Sequence, residues 1–226
     1  MRAASWFVDY LHLLRGNATM FLHRNPPEHY LSYTISGKQP IILLPGITLK
    51  WAFMKKLGDQ ISLSGHPVYV VPKLGYNLSD IPTSAKIVRE LIGENSLRKV
   101  IIIGHSKGGL IGKYLLCYDN DDRRISGLIA IATPFSGSKA GHLVPHKAFW
   151  ELTPKSNIIE DLKLHGETNK KIISILPIFD NHIWAQEGSW LEGAENVRVN
   201  VSGHHKVLFS KEVAEKVFEA IQKLSS

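Results

Sequence analysis

The sequence predicts an α/β protein: a mostly parallel central sheet flanked by helices, with a small insertion over one edge. Three observations carry this. Short runs that are apolar at every residue, Ile41–Leu44, Val68–Val71 and Val100–Ile103, alternate with helix-period segments. A strand with no polar face belongs in a sheet covered on both sides. The most apolar run leads without a break into Gly104-His105-Ser106-Lys107-Gly108-Gly109. The 226 residues, 44% of them hydrophobic, suit one domain with a packed core. The chain is therefore read as a single domain over residues 1–226. Residues 1–29 form an N-terminal helical extension, and residues 135–168 form the cap or lid insertion.

The N-terminal segment places Phe7, Tyr10, Leu11 and Leu14 at helical spacing, interrupted by Asp9 and His12. That stripe is expected to pack on the domain; the alternative is a helix lying on a membrane surface with Trp6 and Phe7 inserted. Tyr30–Ile35 alternates and reads as an edge strand. After the strand Ile41–Leu44, Trp51–Leu63 reads as helix. Val68–Val71 is a strand stopped by Pro72, and Ser79–Asn95 is helical. After the run at residue 100, Lys107 to Tyr118 forms a helix. Ile125–Ala132, Lys171–Leu176 and Asn196–Val201 are three further strands, and Lys211–Leu224 is a closing helix with one apolar stripe.

Charge and cysteine content exclude several functions. Lys and Arg number 27 against 20 Asp and Glu, a net charge of +7. The basic residues are scattered in pairs such as Lys55-Lys56 and Arg123-Arg124, so no nucleic-acid partner is expected. The single cysteine, Cys117, excludes an internal disulfide and a thiolate-rich metal centre. No run of 18 apolar residues exists, so no spanning helix is expected. A cytoplasmic location follows as the expectation, with peripheral membrane contact in keeping with the N-terminal helix.

The pentapeptide Gly104-x-Ser106-x-Gly108 sits between strand and helix, where a strained turn lifts a serine hydroxyl above the strand ends. A serine needs a base. Asn196–Val201 ends in Ser202-Gly203-His204-His205, and His204 is chosen because it directly follows the glycine turn; His205 competes with it. The base needs an orienting acid, and Asp180 is the carboxylate that directly follows the preceding strand. Asp161, Glu187, Glu192 and Glu195 are less well placed. The oxyanion N–H groups are assigned to Lys107, at the start of a helix, and Ile47, in the turn after the first strong strand.

These residues resemble the α/β-hydrolase superfamily, and within it the bacterial triacylglycerol-lipase and esterase group, over about residues 38–224. Leu43-Leu44-Pro45-Gly46-Ile47 resembles the family's oxyanion strand and turn. Gly104-His105-Ser106-Lys107-Gly108-Gly109 resembles its G-H-S-x-G-G turn. Thr133-Pro134-Phe135-Ser136-Gly137-Ser138 resembles its T-P-H-x-G-S turn, and Gly203-His204-x-x-Val207-Leu208 its G-H-x-x-L-L. The resemblance implies ester hydrolysis through Ser106, Asp180 and His204, an acyl-enzyme, a small ester or lipid substrate, and no metal or organic cofactor. A thioesterase or acyltransferase using the same residues, or a non-catalytic binding protein on the same fold, are the alternatives. Pro45 stands where the family usually has His, leaving open what supports the oxyanion loop. Lys107 is expected to place a cation near the mouth of the site. In the insertion, Phe149 and Trp150 are assigned to substrate binding. Their apolar neighbours Leu143, Val144, Leu152, Ile158 and Ile159 either line that pocket or pack as a cap on the sheet.

Overall fold

The computed structural model describes residues 2–184 and 188–225, with side chains from Trp6 onward. Helix α1 (Arg2–Leu22) and the single turn α2 (His29–Ser32) precede β1 (Ile41–Leu44). Then come α3 (Lys55–Leu63), β2 (Val68–Val70), α4 (Ile81–Glu94), β3 (Val100–His105), α5 (Lys107–Tyr118) and β4 (Ile125–Ile131). The insertion carries α6 (Lys147–Trp150) and α7 (Asn157–Lys163). It is followed by β5 (Ile172–Phe179), β6 (Glu195–Ser202) and α8 (Lys211–Ser225). Helix α4 shows how local chemistry sets a boundary: Asp80 accepts the Thr83 N–H at 2.7 Å, and a proline stands in the first turn.

Among the described residues, six strands lie in the order β2-β1-β3-β4-β5-β6, and every neighbouring pair is parallel. Alternate residues feed two cores. Ile41, Leu43, Ile101, Ile103, Ile129 and Ile131 meet α3 and α8 on one face. Ile42, Leu44, Ile102, Leu128 and Ala130 meet α4 and α5 on the other. Leu152, Ile159 and Leu162 of the insertion are buried in that second core, so much of its apolar content packs as a cap rather than lining a pocket. Leu143 and Val144, by contrast, are exposed. Trp51 and Phe53, in a short turn before α3, are core residues of the first face.

Two sequence expectations are corrected. Residues 30–35 are not an edge strand. Tyr30 lies in α2 and is buried, its ring set edge-on to Trp51 at 6.3 Å. Burying one large aromatic decides the local backbone here more strongly than alternation does. The N-terminal helix does dock, but through the opposite face. Asp9, His12, Leu13, Gly16 and Met20 point inward. A Cβ on Gly16 would come within 2.0 Å of the Phe53 ring, so only glycine lets the helix lie this close. Phe7, Tyr10, Leu11 and Leu14, the stripe expected to pack, are all exposed.

The chain enters the sheet at β1, steps outward to β2, then crosses to β3 on the other side of β1. The carboxyl ends of β1 and β3 therefore diverge into loops on opposite sides, opening a crevice between them. The turns carrying Ile47 and Ser106 both leave the sheet there.

Candidate active site

Ser106 occupies the turn between β3 and α5, with φ 52° and ψ −121°. A non-glycine residue in this conformation stores on the order of 1–3 kcal/mol, held by its surroundings. Those surroundings are tight. The Ser106 N–H donates to the Ile131 carbonyl of β4 at 2.9 Å. A Cβ on Gly108 would fall 2.1 Å from the Leu44 carbonyl oxygen, so α5 begins hard against the end of β1. Gly46 also lies near, since a Cβ there would fall 3.2 Å from the Ser106 Cβ. The turns bearing Ile47 and Ser106 are thus neighbours. The Lys107 N–H opens the first turn of α5, where a helix leaves its N–H groups without intrahelical acceptors.

Asn77, which the sequence reading passed over, supports the oxyanion-side loop. Buried and in a left-handed conformation, its Nδ2 donates to the Pro45 carbonyl at 2.8 Å. A lone asparagine ahead of a helix gives no sequence signal for such a role.

The Lys107 side chain is not at the mouth of the site. Its ammonium is fully buried, 2.5 Å from both Glu151 of the insertion and the Ser79 carbonyl. Burial lowers its pKa, and the Glu151 charge opposes that shift. The long aliphatic stem leaves the turn and the carboxylate captures its end, tying the insertion to α5. Glu151 also accepts the Ile81 N–H at the start of α4. Phe149 is half-buried and Trp150 half-exposed on α6.

Asp180 directly follows β5. Register between β5 and β6 shifts between Pro177 and Phe179, where proline has no N–H for the ladder. Asp180 Oδ1 accepts the N–H groups of His182 and Ile183, and Oδ2 lies 2.8 Å from His204 Nδ1. With Nδ1–H donating to the carboxylate, Nε2 is the basic nitrogen of His204. Burial pushes the Asp180 carboxyl up; the His204 charge and hydrogen bond and the two amides outweigh it, and the pKa is lowered. For His204, burial acts downward and Asp180 upward, with a net rise.

His205 belongs to a different carboxylate. Asp9 of α1, fully buried, has Oδ2 3.0 Å from His205 Nδ1, while Oδ1 accepts the N–H groups of His205 and Lys206 at 2.7 and 2.9 Å. Asn181 Nδ2 reaches the same carboxylate at 3.1 Å, and Asn181 Oδ1 accepts the His204 N–H. Gly203 has φ +121°, and a Cβ there would lie 2.5 Å from Asp9 Oδ1. The loop that carries both histidines is therefore pinned by a residue nearly 200 positions earlier. In the sequence Asp9 is only a polar interruption in an apolar stretch.

The rings of His105, His182, His204 and His205 cluster here, with His182 stacked on His204 at 5.0 Å and 21°. His105 Nε2 donates to the His204 carbonyl at 2.9 Å, joining the loop of His204 and His205 to the residue before Ser106. Among the described residues, no hydrogen bond connects the Ser106 hydroxyl to the His204 ring. Asp9, His182 and His205 offer ligand atoms within 4.8 Å of one another, a spacing a metal ion can bridge. Asp9 already uses both oxygens for hydrogen bonds to this loop. Of the alternative acids, Asp161 bonds Tyr118, Glu195 pairs with Lys223, Glu192 lies after β5 without a bond to either histidine, and Glu187 lies outside the described residues.

The alpha/beta hydrolase fold family model matches residues 39–156, just over half of the chain. A triacylglycerol lipase of Burkholderia plantarii is 27% identical over 154 residues, 63% of this chain and 42% of that protein. The chain thus spans less than half the length of this relative. Among solved structures, mature Bacillus licheniformis lipase BlEst2 superposes with a TM-score of 0.66 at 14% identity, covering 87% of this chain and 95% of that one. Aspergillus fumigatus lipase B gives 0.60 at 21% identity, covering 74% and 46%. A membrane phospholipase A gives 0.62 at 11% identity, covering 98% and 95%. At these identities the structures establish shared architecture. With the family model matching from before β1 into the insertion, this chain belongs to the alpha/beta hydrolase fold family.

Proposed function

We propose that this protein hydrolyses carboxylic esters, with Ser106 as nucleophile, His204 as general base and Asp180 as its orienting acid. The observation that carries this reading is the Asp180–His204 hydrogen bond of 2.8 Å beside the strained turn that holds Ser106. His204 Nε2 takes the Ser106 proton as the hydroxyl oxygen attacks the ester carbonyl. The N–H groups of Ile47 and Lys107 receive the developing oxyanion. His204 then protonates the departing alcohol, and a water activated by the same nitrogen releases the acid from Ser106.

A fluorophosphonate probe on the intact chain tests this. Labelling at Ser106, abolished in Ser106→Ala, is expected. Folded wild type that stays unlabelled overturns it. The Ser106→Ala variant is expected to lose turnover of a short p-nitrophenyl ester by a factor of order 10⁶.

The missing Ser106–His204 hydrogen bond favours one second reading, a binding protein that keeps the hydrolase fold without turnover. Unlabelled but ligand-binding protein is its signature.

A further inference from the structure

Helix α1 has two unlike faces. Inward, Asp9, Gly16 and Met20 fasten it to the domain. Outward, Phe7, Leu11, Leu14 and Phe21 fall at i, i+4, i+7 and i+14, and Tyr10 and Leu22 widen the stripe. All six are exposed, Phe7 at 67%, Leu14 at 64% and Phe21 at 79%. Six large apolar side chains along one helix are too many and too continuous to be ordinary surface scatter.

The charges on the helix have a sign. Its one carboxylate, Asp9, is turned inward and consumed by the His205 loop. Arg15 is exposed at the flank of the helix, with its guanidinium 5.5 Å over the Phe209 ring, and exposed Arg24 follows the helix end. The whole chain carries +7. No helix of the described residues is long and apolar enough to cross a membrane. An apolar stripe edged by cations and free of exposed carboxylates is the pattern of a helix that lies in the plane of an anionic lipid surface.

The stripe also touches the candidate site. Tyr10 stands 6.1 Å from the ring of His182, which stacks on His204. A cleft of about 1020 Å³ runs between the inner side of α1 and the loop after Ile47, walled by Leu13, Met20, Phe21, Thr48, Trp51 and Tyr76. Its walls include Phe21 from the end of the helix and Thr48, the residue after Ile47, and its volume accepts an acyl chain.

We propose that α1 seats this protein on an anionic phospholipid bilayer through Phe7, Leu11, Leu14 and Phe21, presenting the His204 side of the site to the membrane surface. Acyl esters of the bilayer are then the substrates; that second step rests on the ester-hydrolase reading, whereas the docking does not.

Co-sedimentation of the full chain with vesicles tests it. Binding to phosphatidylcholine–phosphatidylglycerol vesicles is expected to exceed binding to pure phosphatidylcholine by about tenfold, and to weaken with added salt. The doubly substituted variant Leu11→Glu, Leu14→Glu is expected to lose at least about tenfold of the binding. Its helical circular dichroism and its turnover of a soluble short ester should stay within about twofold, because both positions are exposed. Ser106→Ala, checked in the same way, should bind vesicles as wild type does, which separates docking from chemistry. Vesicle binding that is absent, or equal in wild type and the glutamate variant, overturns the proposal. So does a wild-type dimer that the glutamate variant converts to monomer, which would assign the stripe to a second copy of the chain.

Discussion

Asp9 Oδ2 lies 3.0 Å from His205 Nδ1, and one residue away Asp180 Oδ2 lies 2.8 Å from His204 Nδ1. Two adjacent histidines thus answer to two carboxylates from opposite ends of the chain. The Asp180 pair stands beside the serine turn; the Asp9 pair holds the loop that presents it. Asp9→Asn keeps the shape but removes the charge that the His205 ring and two backbone N–H groups address. Urea unfolding is expected to show a loss of about 2 kcal/mol, the usual cost of weakening hydrogen bonds to a buried charged acceptor. Turnover of a soluble ester is expected to fall by at least about tenfold in kcat with little change in KM, because the base is displaced rather than removed. Unchanged stability and kcat would show that α1 does not hold the loop.

Ser106 sits at φ 52°, a conformation glycine adopts without strain. Ser106→Gly is therefore expected to abolish turnover while raising stability by about 1 kcal/mol. Thermal melts of wild type and variant decide this, and a lower midpoint in the variant would contradict the strain.

If His204 is the base of the proposed ester hydrolysis, the rise of its pKa above the ordinary imidazole value of 6.5 sets a pH dependence. A base works only when deprotonated, so kcat/KM should climb with pH through a single acid limb lying above 6.5. In Asp180→Asn the raising charge is gone, and the limb should move to lower pH while kcat drops about 10⁴-fold. A profile of kcat/KM from pH 5 to 9 measures both. A limb that stays in place in the asparagine variant would detach Asp180 from the base.

Stability should depend on pH in the opposite region. Burial lowers the pKa of His105, His182 and His205; that of His182 falls to about 3, with the charges of His204 and His205 adding to burial. A depressed group contributes stability that is present above its unfolded value and is lost as pH falls toward its folded one. Asp9 is depressed too: burial acts upward on it, but the His205 hydrogen bond and charge and the two amides prevail. His204, raised, acts the other way, one imidazole against three, while Asp9 and Asp180, both lowered, add their share only as pH falls through the ordinary carboxylate value of 3.8. The melting temperature is expected to drop steadily from pH 7 to pH 4. A flat profile would mean that the cluster protonates without cost.

Periodicity and punctuation carried much of this protein. The runs at 41, 68 and 100 are apolar on both faces because both faces of the sheet are covered, and that alone implied a parallel sheet with flanking helices. Residues that close strands were legible for the same reason: Ser106, Asp180 and His204 each follow a strand, and parallel strands bring such residues to one end of the sheet. Choosing between His204 and His205 was harder. The sequence favours His204 because it directly follows Gly203 and fits the G-H-x-x-L-L pattern; the structure pairs His204 with Asp180 and His205 with Asp9.

What the string could not hold was the partner of a polar residue. Asp9, Asn77 and Glu151 look like surface residues in one dimension, yet they bond His205, Pro45 and Lys107 across 196, 32 and 44 positions. The docking face of α1 went unread for the same reason. Counting hydrophobic residues finds the stripe through Phe7 and Leu14, whereas the helix packs through a carboxylate, a glycine and a thioether that each meet a specific group. Apolar burial is non-directional and so leaves a repeating trace in sequence. Hydrogen bonds and close contacts depend on where two distant atoms end up, and only the folded chain decides that.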